Sequence, residues 1–191
     1  ILNFYSLMSL AGDIENNIYR YGKKKPGIFW DKETKKKIKK GETYFIKAAH
    51  TLDGSSFAKS VREHLSDEAA VELKHIFDYI FNSSKKEIIL PNYEDLNALN
   101  EYEQKEWKLP NSKISLIRSD GKDGFVSGQY YFSDYTVRNI RYAFKKIEYE
   151  AESLPKNKYT TPHFYLDFIH TPGLLVPPKW YASLPDKVHE I

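Results

Sequence analysis

The chain has 191 residues, of which 41% are hydrophobic and 15% aromatic, and it contains no cysteine. A chain of this length and composition can bury a core without a staple, which argues against intrinsic disorder. The lack of cysteine excludes disulfide scaffolds, thiol catalysis and cysteine-ligated metal centres. A formal net charge of +3 is smaller than that of a general nucleic-acid binder. No apolar run reaches the roughly 18 residues of a membrane span.

The first part of the chain shows helical periodicity. Apolar residues at i, i+3 and i+4 predict a helix over residues 1–21. Its buried face is expected to contain Phe4, Leu7, Met8, Ala11, Ile14 and Ile18. A second helix is expected to begin at the N-cap Asp31, although Gly41 argues against one unbroken helix because glycine is a poor helix former. Its buried stripe is expected to contain Ile38, Phe45, Ala49 and Leu52.

A turn separates these helices from a third helical region. Residues 53–56 predict a turn that Asp53 closes, with Ser55 capping a short helix over residues 57–65. Ser66 is the predicted N-cap of the next helix. The apolar face of that helix is expected to contain Ala69, Ala70, Leu73, Ile76, Phe77 and Ile80.

The hydrophobic period changes in the second half of the chain. Residues 83–107 predict mostly loop, with one helical turn near residues 93–102. Alternation from Lys113 to Arg118 predicts a strand, and a second strand is expected over residues 125–132. The turn residues between them make this a β-hairpin at about residues 112–132.

The last predicted elements are helical. Ser133 or Asp134 is expected to cap a helix that runs to about Glu152, and a short aromatic helix is expected over residues 161–169. The buried side of the longer helix is expected to contain Val137, Ile140, Arg141, Phe144 and Ile147. The predicted fold is α+β, a helix-dominated single domain over residues 1–191 with one β-hairpin packed on helices.

The histidines and hydroxyl residues do not form a recognisable catalytic motif. No two histidines have the i, i+4 spacing of a helical zinc site, and no HExxH is present. His64 and His75 could share one helix face only if a helix ran unbroken through Ser66. A relay of His50, Asp53 and Ser55 lacks a nucleophile elbow, so the turn and capping roles are favoured. We therefore expect no catalytic residue, no metal and no cofactor.

The carboxylates are expected to lie on solvated helix faces or in loops, with nothing that marks an acid–base pair. They are Glu63, Asp67, Glu68, Glu72, Asp78, Glu101, Glu103 and Glu106. The glycines sit mostly in turns and form no phosphate-cradling loop.

Lysines are concentrated in the N-terminal third of the chain. They are Lys23, Lys24, Lys25, Lys35, Lys36, Lys37, Lys39 and Lys40. A solvated helix face accounts for them, and an anionic lipid surface or a set of phosphates is the functional alternative. Aromatic residues are not interleaved with this run in a stacking pattern, so no nucleic acid is expected as a partner.

Two segments in the first half of the chain are similar to segments of a known protein family. Residues 48–55 are similar to a family turn of small residues followed by Leu-Asp and Leu-Ser, and Gly54 stands where the family usually has Leu. Residues 68–80 are similar to a Leu-Lys-x-x-Leu-Asp-Arg-Ile helix, with Tyr79 in place of Arg.

Three further segments follow in the same order as in that family. Residues 107–114 are similar to a Trp-x-Ile-Pro-Gly-Thr-Glu-Ile strand entry. Residues 128–133 with Val137 are similar to a Gly-x-Phe-x-Phe-Ser strand and a Thr-Val helix start. Residues 172–185 are similar to the segment before the first membrane helix. Together the segments, over about residues 44–185, resemble the extracytoplasmic N-terminal domain of some bacterial channels of the small-conductance mechanosensitive (MscS) family.

The resemblance implies a function that is not enzymatic. It implies a periplasmic domain of a mechanosensitive ion channel, with a role in assembly, gating modulation or sensing. It also implies a homo-oligomeric parent, commonly heptameric in that family, whose membrane part is the partner of this domain. The start at Ile1, without an initiator Met or signal peptide, is consistent with an excised piece of a longer chain.

The aromatic content supports an alternative of a different class, a soluble ligand-binding module or small enzyme. Aromatic side chains line pockets for sugars and other flat ligands. The candidate residues are Trp107, Tyr130, Tyr131, Trp180 and Tyr181. Simple packing of Tyr130 and Phe132 on one face of a strand is the competing structural explanation.

Overall fold

A computed structural model describes residues 1–19, 32–83, 90–101, 106–122 and 124–153. The helices are α1 (Leu2–Tyr19), α2 (Lys32–Ala49), α3 (Arg62–Ser83), α4 (Tyr93–Glu101) and α5 (Asp134–Ser153). The strands are β1 (Glu106–Lys108), β2 (Ser115–Arg118) and β3 (Tyr130–Phe132). The predicted fold class, α+β and helix-dominated, is confirmed. The predicted cap Asp31 and the helix over residues 161–169 lie outside the described residues.

The chain divides into two compact units, which are described separately. The N-terminal unit comprises residues 2–48 and 155–191, and the sheet-containing unit comprises Ile1 and residues 49–154.

The described part of the N-terminal unit consists of α1 and most of α2. Phe4, Met8 and Ala11 are buried as their spacing predicts, and Tyr5 is buried as well. The helix α2 continues without a break through Gly41. A Cβ added at Gly41 would lie 3.2 Å from Cγ2 of Ile14 in α1. Glycine therefore lets the two helices approach closely, which offsets its weak helix propensity.

The helix α3 begins earlier than its sequence predicts. It starts at Arg62 and runs through Ser66, so the predicted cap at Ser66 and the separate helix over residues 57–65 are wrong. The Arg62 guanidinium donates to the backbone oxygens of Ser55 (3.0 Å) and Phe57 (3.1 Å), which ties the preceding loop to the first turn of α3. The Ser55 N–H bonds Asp53 Oδ1 at 3.0 Å, so Asp53 closes the turn and Ser55 caps no separate helix.

The middle of α3 is buried on every side. All ten residues from 69 to 78 are buried, whereas the sequence predicts one buried face. The helix α5 packs along α3, and the Phe77 ring lies 6.0 Å from the ring of Phe132 in β3. The helix α3 is therefore the central element of the sheet-containing unit.

The sheet has three antiparallel strands in the order β1-β2-β3. The predicted hairpin is formed by β2 and β3, in which Leu116 pairs with Phe132. The strand β1, which the sequence leaves in a loop, pairs Trp107 with Leu116. The strand β3 begins only at Tyr130 because the preceding residues fold on themselves: the Gln129 N–H bonds the Val126 oxygen at 3.2 Å.

A loop that is distant from β3 in sequence extends this sheet beyond β3. Leu52 forms a parallel bridge with Phe132. The Asp53 N–H donates to the Phe132 oxygen at 2.9 Å, and the Phe132 N–H donates to the Thr51 oxygen at 2.8 Å. The turn before α3 is therefore fixed to the sheet by backbone hydrogen bonds.

The helix α5 begins at a cap that the sequence identifies. Ser133 Oγ accepts the Thr136 N–H at 3.1 Å, which is N-cap geometry. Val137, Ile140 and Phe144 are buried as predicted. The sequence predicts Arg141 on the buried side, but Arg141 is exposed and its long side chain forms an ion pair with Glu68 on α3.

The close approach at Gly41 predicts a steric effect of substitution. We expect Gly41→Leu to lower the free energy of unfolding by about 1–3 kcal/mol, since the new side chain must displace Ile14. Chemical denaturation measures this change, with Thr43→Leu as a control at an exposed position of the same helix. Equal stabilities of the two variants would contradict the close packing.

Candidate functional site

The first candidate site is a buried ion pair within α3. The Lys74 Nζ atom lies 2.8 Å from Oδ1 and 2.7 Å from Oδ2 of Asp78, one helical turn later. The Lys74 side chain is fully buried and that of Asp78 is 5% exposed. A buried charge is tolerated when a partner of opposite charge and hydrogen bonds surround it. Each group neutralises the charge of the other, so the pair is suited to holding α3 in its buried position.

A second charged contact joins α3 to α5. The Arg141 guanidinium in α5 forms an ion pair with Glu68 and lies 3.7 Å from Oε1 of Glu72. Glu72 is buried, whereas the Arg141 side chain is about half exposed. The contact therefore lies at the edge of the α3–α5 interface, where the arginine covers a buried carboxylate.

The histidine in the middle of α3 is held neutral. Burial of His75 lowers its pKa to about 3, and the neighbouring Lys74 charge acts in the same direction. Its ring packs edge-on against Phe144 of α5, with 5.9 Å between ring centroids. At neutral pH, His75 is therefore a packing residue of the α3–α5 interface.

The carboxyl group of Asp67 holds its proton unusually tightly. Partial burial, together with the negative charge of Glu63 one turn earlier, raises the pKa of Asp67 to about 7. Perturbed carboxyl groups are common at functional sites, and structural burial produces the same effect. The Asp67 carboxyl group can therefore exchange a proton near neutral pH.

The predicted solvation of the carboxylates is wrong at two positions. Glu72 and Asp78 are buried, at 2% and 4% exposure. The sequence gives no signal for this burial, because it depends on side chains of other elements that surround α3. Glu103 lies outside the described residues.

Three hydroxyl groups form a buried cluster between β2 and the start of α5. Ser115 Oγ lies 2.5 Å from Ser133 Oγ, and Thr136 Oγ1 lies 3.1 Å from Ser133 Oγ. The Ser115 N–H also donates to Thr136 Oγ1 at 2.7 Å. These bonds join the sheet to the helix cap, so the cluster has a structural role. The sequence identifies Ser133 as a cap but gives no sign of the cluster.

The aromatic candidates among the described residues make hydrogen bonds or strand pairs within the fold. The Tyr130 hydroxyl donates to the Leu96 oxygen at 2.7 Å, and the Tyr131 hydroxyl accepts the Val126 N–H at 3.0 Å. Trp107 is half-buried and pairs with Leu116 in the sheet. The structure therefore brings these three residues together as parts of one sheet. Trp180 and Tyr181 lie outside the described residues.

The histidines show no metal site in the part of the chain that the structure describes. His64 and His75 do lie on one unbroken helix, but they are eleven positions apart, which is about 16 Å along the axis. Within the described ranges, no group of three His, Asp or Glu side chains could hold a metal ion. His163, His170 and His189 lie outside these ranges.

The lysines of α2 are exposed. Lys35, Lys36 and Lys37 all face solvent, while Lys23, Lys24 and Lys25 lie outside the described residues.

None of the helices in the described ranges has the length and apolarity needed to cross a bilayer. No protein family, curated protein or solved structure matches the chain.

The buried ion pair predicts a large cost when one partner is removed. We expect Lys74→Met to lower the free energy of unfolding by about 3–5 kcal/mol, because Asp78 keeps a buried charge without its cation. The double variant Lys74→Met/Asp78→Leu should regain most of that loss in urea denaturation. Lys108→Met, which removes an exposed pair with Glu106, is the control and should cost about 1 kcal/mol or less.

A loss no larger for Lys74→Met than for Lys108→Met would show that the α3 pair does not stabilise the helix in its buried position.

The raised pKa of Asp67 predicts a dependence of stability on pH. A raised carboxyl pKa stabilises the fold below the unfolded-state value of 3.8, and this contribution is lost as pH rises through about 7. We therefore expect Asp67→Asn to gain stability relative to the unmodified chain between pH 5 and about pH 8. Denaturation at both pH values measures the difference. Glu63→Gln should produce a smaller change in the same direction, and a pH-independent difference for Asp67→Asn would contradict the raised pKa.

Proposed function

We propose that this chain is a non-enzymatic periplasmic domain of a bacterial mechanosensitive channel of the MscS family. In this proposal it lies beside the membrane part of its own parent chain, in a homo-oligomer that is commonly heptameric in that family. Its role is in assembly, gating modulation or sensing. No step of this role requires a catalytic residue or cofactor.

The observation that carries the proposal is that separate family-like segments form one piece of structure. Leu52, from residues 48–55, bridges Phe132 in β3. Trp107, from residues 107–114, joins the same sheet through Leu116. The ring of Phe77 in α3 packs against the ring of Phe132. Segments that share an order in sequence and also meet in space support a common fold better than any one motif does.

The main departure from the family pattern has a physical reason. Gly54 is buried, and a Cβ at that position would collide with the hydroxyl of Ser66 in α3. The leucine that the family usually has could not fit there unless Ser66 moved. The departure therefore reflects how the turn is packed against α3 in this chain, and it leaves the Leu52 bridge in place.

The aromatic alternative has less support in the described residues. A ligand-binding surface needs aromatic rings and polar groups that are available to the ligand. The hydroxyl groups of Tyr130 and Tyr131 are used for bonds within the chain. The same residues contribute to the sheet that unites the family-like segments, so the structural role is favoured.

The hydropathy of the parent gene downstream of Ile191 tests the proposal. We expect several apolar segments of about 20 residues, the last of them rich in Gly and Ala, because channel helices that pack closely need small residues. A stop codon or a second soluble domain after Ile191 would contradict the proposal.

Recording from the full-length parent tests the role of the domain. We expect pressure-activated currents, and we expect Phe132→Ala to change their threshold or to impair assembly of the channel, since that substitution removes the ring by which the sheet packs on Phe77 of α3. The exposed Val126→Ala is the matched control and should leave the currents unchanged. Identical currents in all three forms would contradict a role in assembly or gating.

A further inference from the structure

We propose that the exposed face of α2 binds an anionic phospholipid surface. This inference deepens the proposed function, because a domain beside a membrane can reach lipid headgroups. The charge distribution on α2 carries the inference, and the proposed function supplies only the setting.

Six of the seven lysines of α2 lie on one side of the helix, and Lys37 lies outside that side. With about 100° of rotation per residue, six of them lie within an arc of roughly 140°. These lysines, called the basic face below, are Lys32, Lys35, Lys36, Lys39, Lys40 and Lys47. All six are exposed, and the arc is opposite the buried residues Ile38 and Phe45.

The positive charge of the basic face is not neutralised within the helix. The two carboxylates of α2, Glu33 and Glu42, fall at the two edges of the arc. Within the described ranges, none of the six lysines forms an ion pair with a carboxylate. The chain as a whole carries only +3, so this face is a local concentration of charge.

The shape of the basic face fits an extended surface. From Lys32 to Lys47 the lysines span about 22 Å along the helix axis, which is longer than one small anion. Lysine is a flexible, hydrated point charge and lacks the fork with which arginine binds a single phosphate from two sides. A row of lysines is therefore suited to many headgroups at once.

One apolar residue on the basic face favours lipid over nucleic acid. Ile46 lies inside the arc and is 41% exposed. An exposed apolar side chain among lysines can enter the boundary between headgroups and acyl chains. Single-stranded nucleic acid instead needs exposed rings for stacking, and Tyr44, the aromatic residue nearest the arc, lies outside it under the Lys40 ammonium.

Vesicle sedimentation of the chain tests the proposal. The probes are vesicles of phosphatidylcholine alone and vesicles that also contain phosphatidylglycerol, at low and at physiological salt. We expect binding only to the anionic vesicles, with weakening as salt rises because screening shortens to roughly 8 Å. Each lysine near such a surface contributes roughly fivefold in partitioning.

A matched pair of variants separates the basic face from net charge. The first variant replaces Lys32, Lys36, Lys39 and Lys40 by Gln, which is also a good helix former. The control replaces four exposed lysines of the sheet-containing unit, Lys59, Lys108, Lys122 and Lys145, by Gln. Both variants lose the same charge. We expect the first to lose about a hundredfold or more in partitioning and the control to lose a few fold.

Three results would overturn the proposal. They are equal binding to neutral vesicles, equal losses in the two variants, and binding of duplex DNA through the basic face without binding to anionic vesicles. A parent gene without membrane helices would remove the proposed channel function but would leave a positive vesicle result in place. The two proposals therefore fail separately.

Discussion

Residues 69–78 of α3 are buried on every side, and this burial determines how the sheet-containing unit is built. A surrounded helix leaves its charged side chains no route to water, so each must find a partner. Lys74 is paired with Asp78, and Arg141 of α5 covers Glu72. His75 remains neutral and packs on Phe144. The same helix thus provides both the apolar centre of the unit and the charged contacts that fix its rotation.

The sheet provides the second constraint, because it joins segments that are far apart in sequence. Phe132 pairs with Leu116, bridges Leu52 and contacts Phe77. The hydroxyl cluster then ties the end of β3 to the first turn of α5. The residues that resemble a channel domain act here as turns, caps and ring contacts. The proposed function therefore depends on these structural roles rather than on an active site.

The sequence predicts well the features that depend on local pattern. The N-cap Ser133, the apolar positions of α5 and the β2–β3 hairpin follow from capping, periodicity and turn residues. The start of α3 at Arg62 is not predicted, because it depends on bonds from Arg62 to the preceding loop. The burial of Glu72 and Asp78 depends on neighbours from other elements, which periodicity within one helix cannot show. The basic face of α2 is visible as a lysine-rich run, but its arc becomes clear only when the helix is known to continue through Gly41.

Hydrogen exchange at the Leu52–Phe132 bridge tests the central claim most directly, namely that the distant family-like segments form one cooperative structure. The amides of Asp53 and Phe132 donate across the bridge, and those of residues 69–78 lie in the buried part of α3. If these elements form one unit, both sets of amides exchange only when the whole unit unfolds, with the same free energy of opening. Much faster exchange at Asp53 and Phe132 than in α3 would contradict the account, since the bridge would then open while the core stays folded.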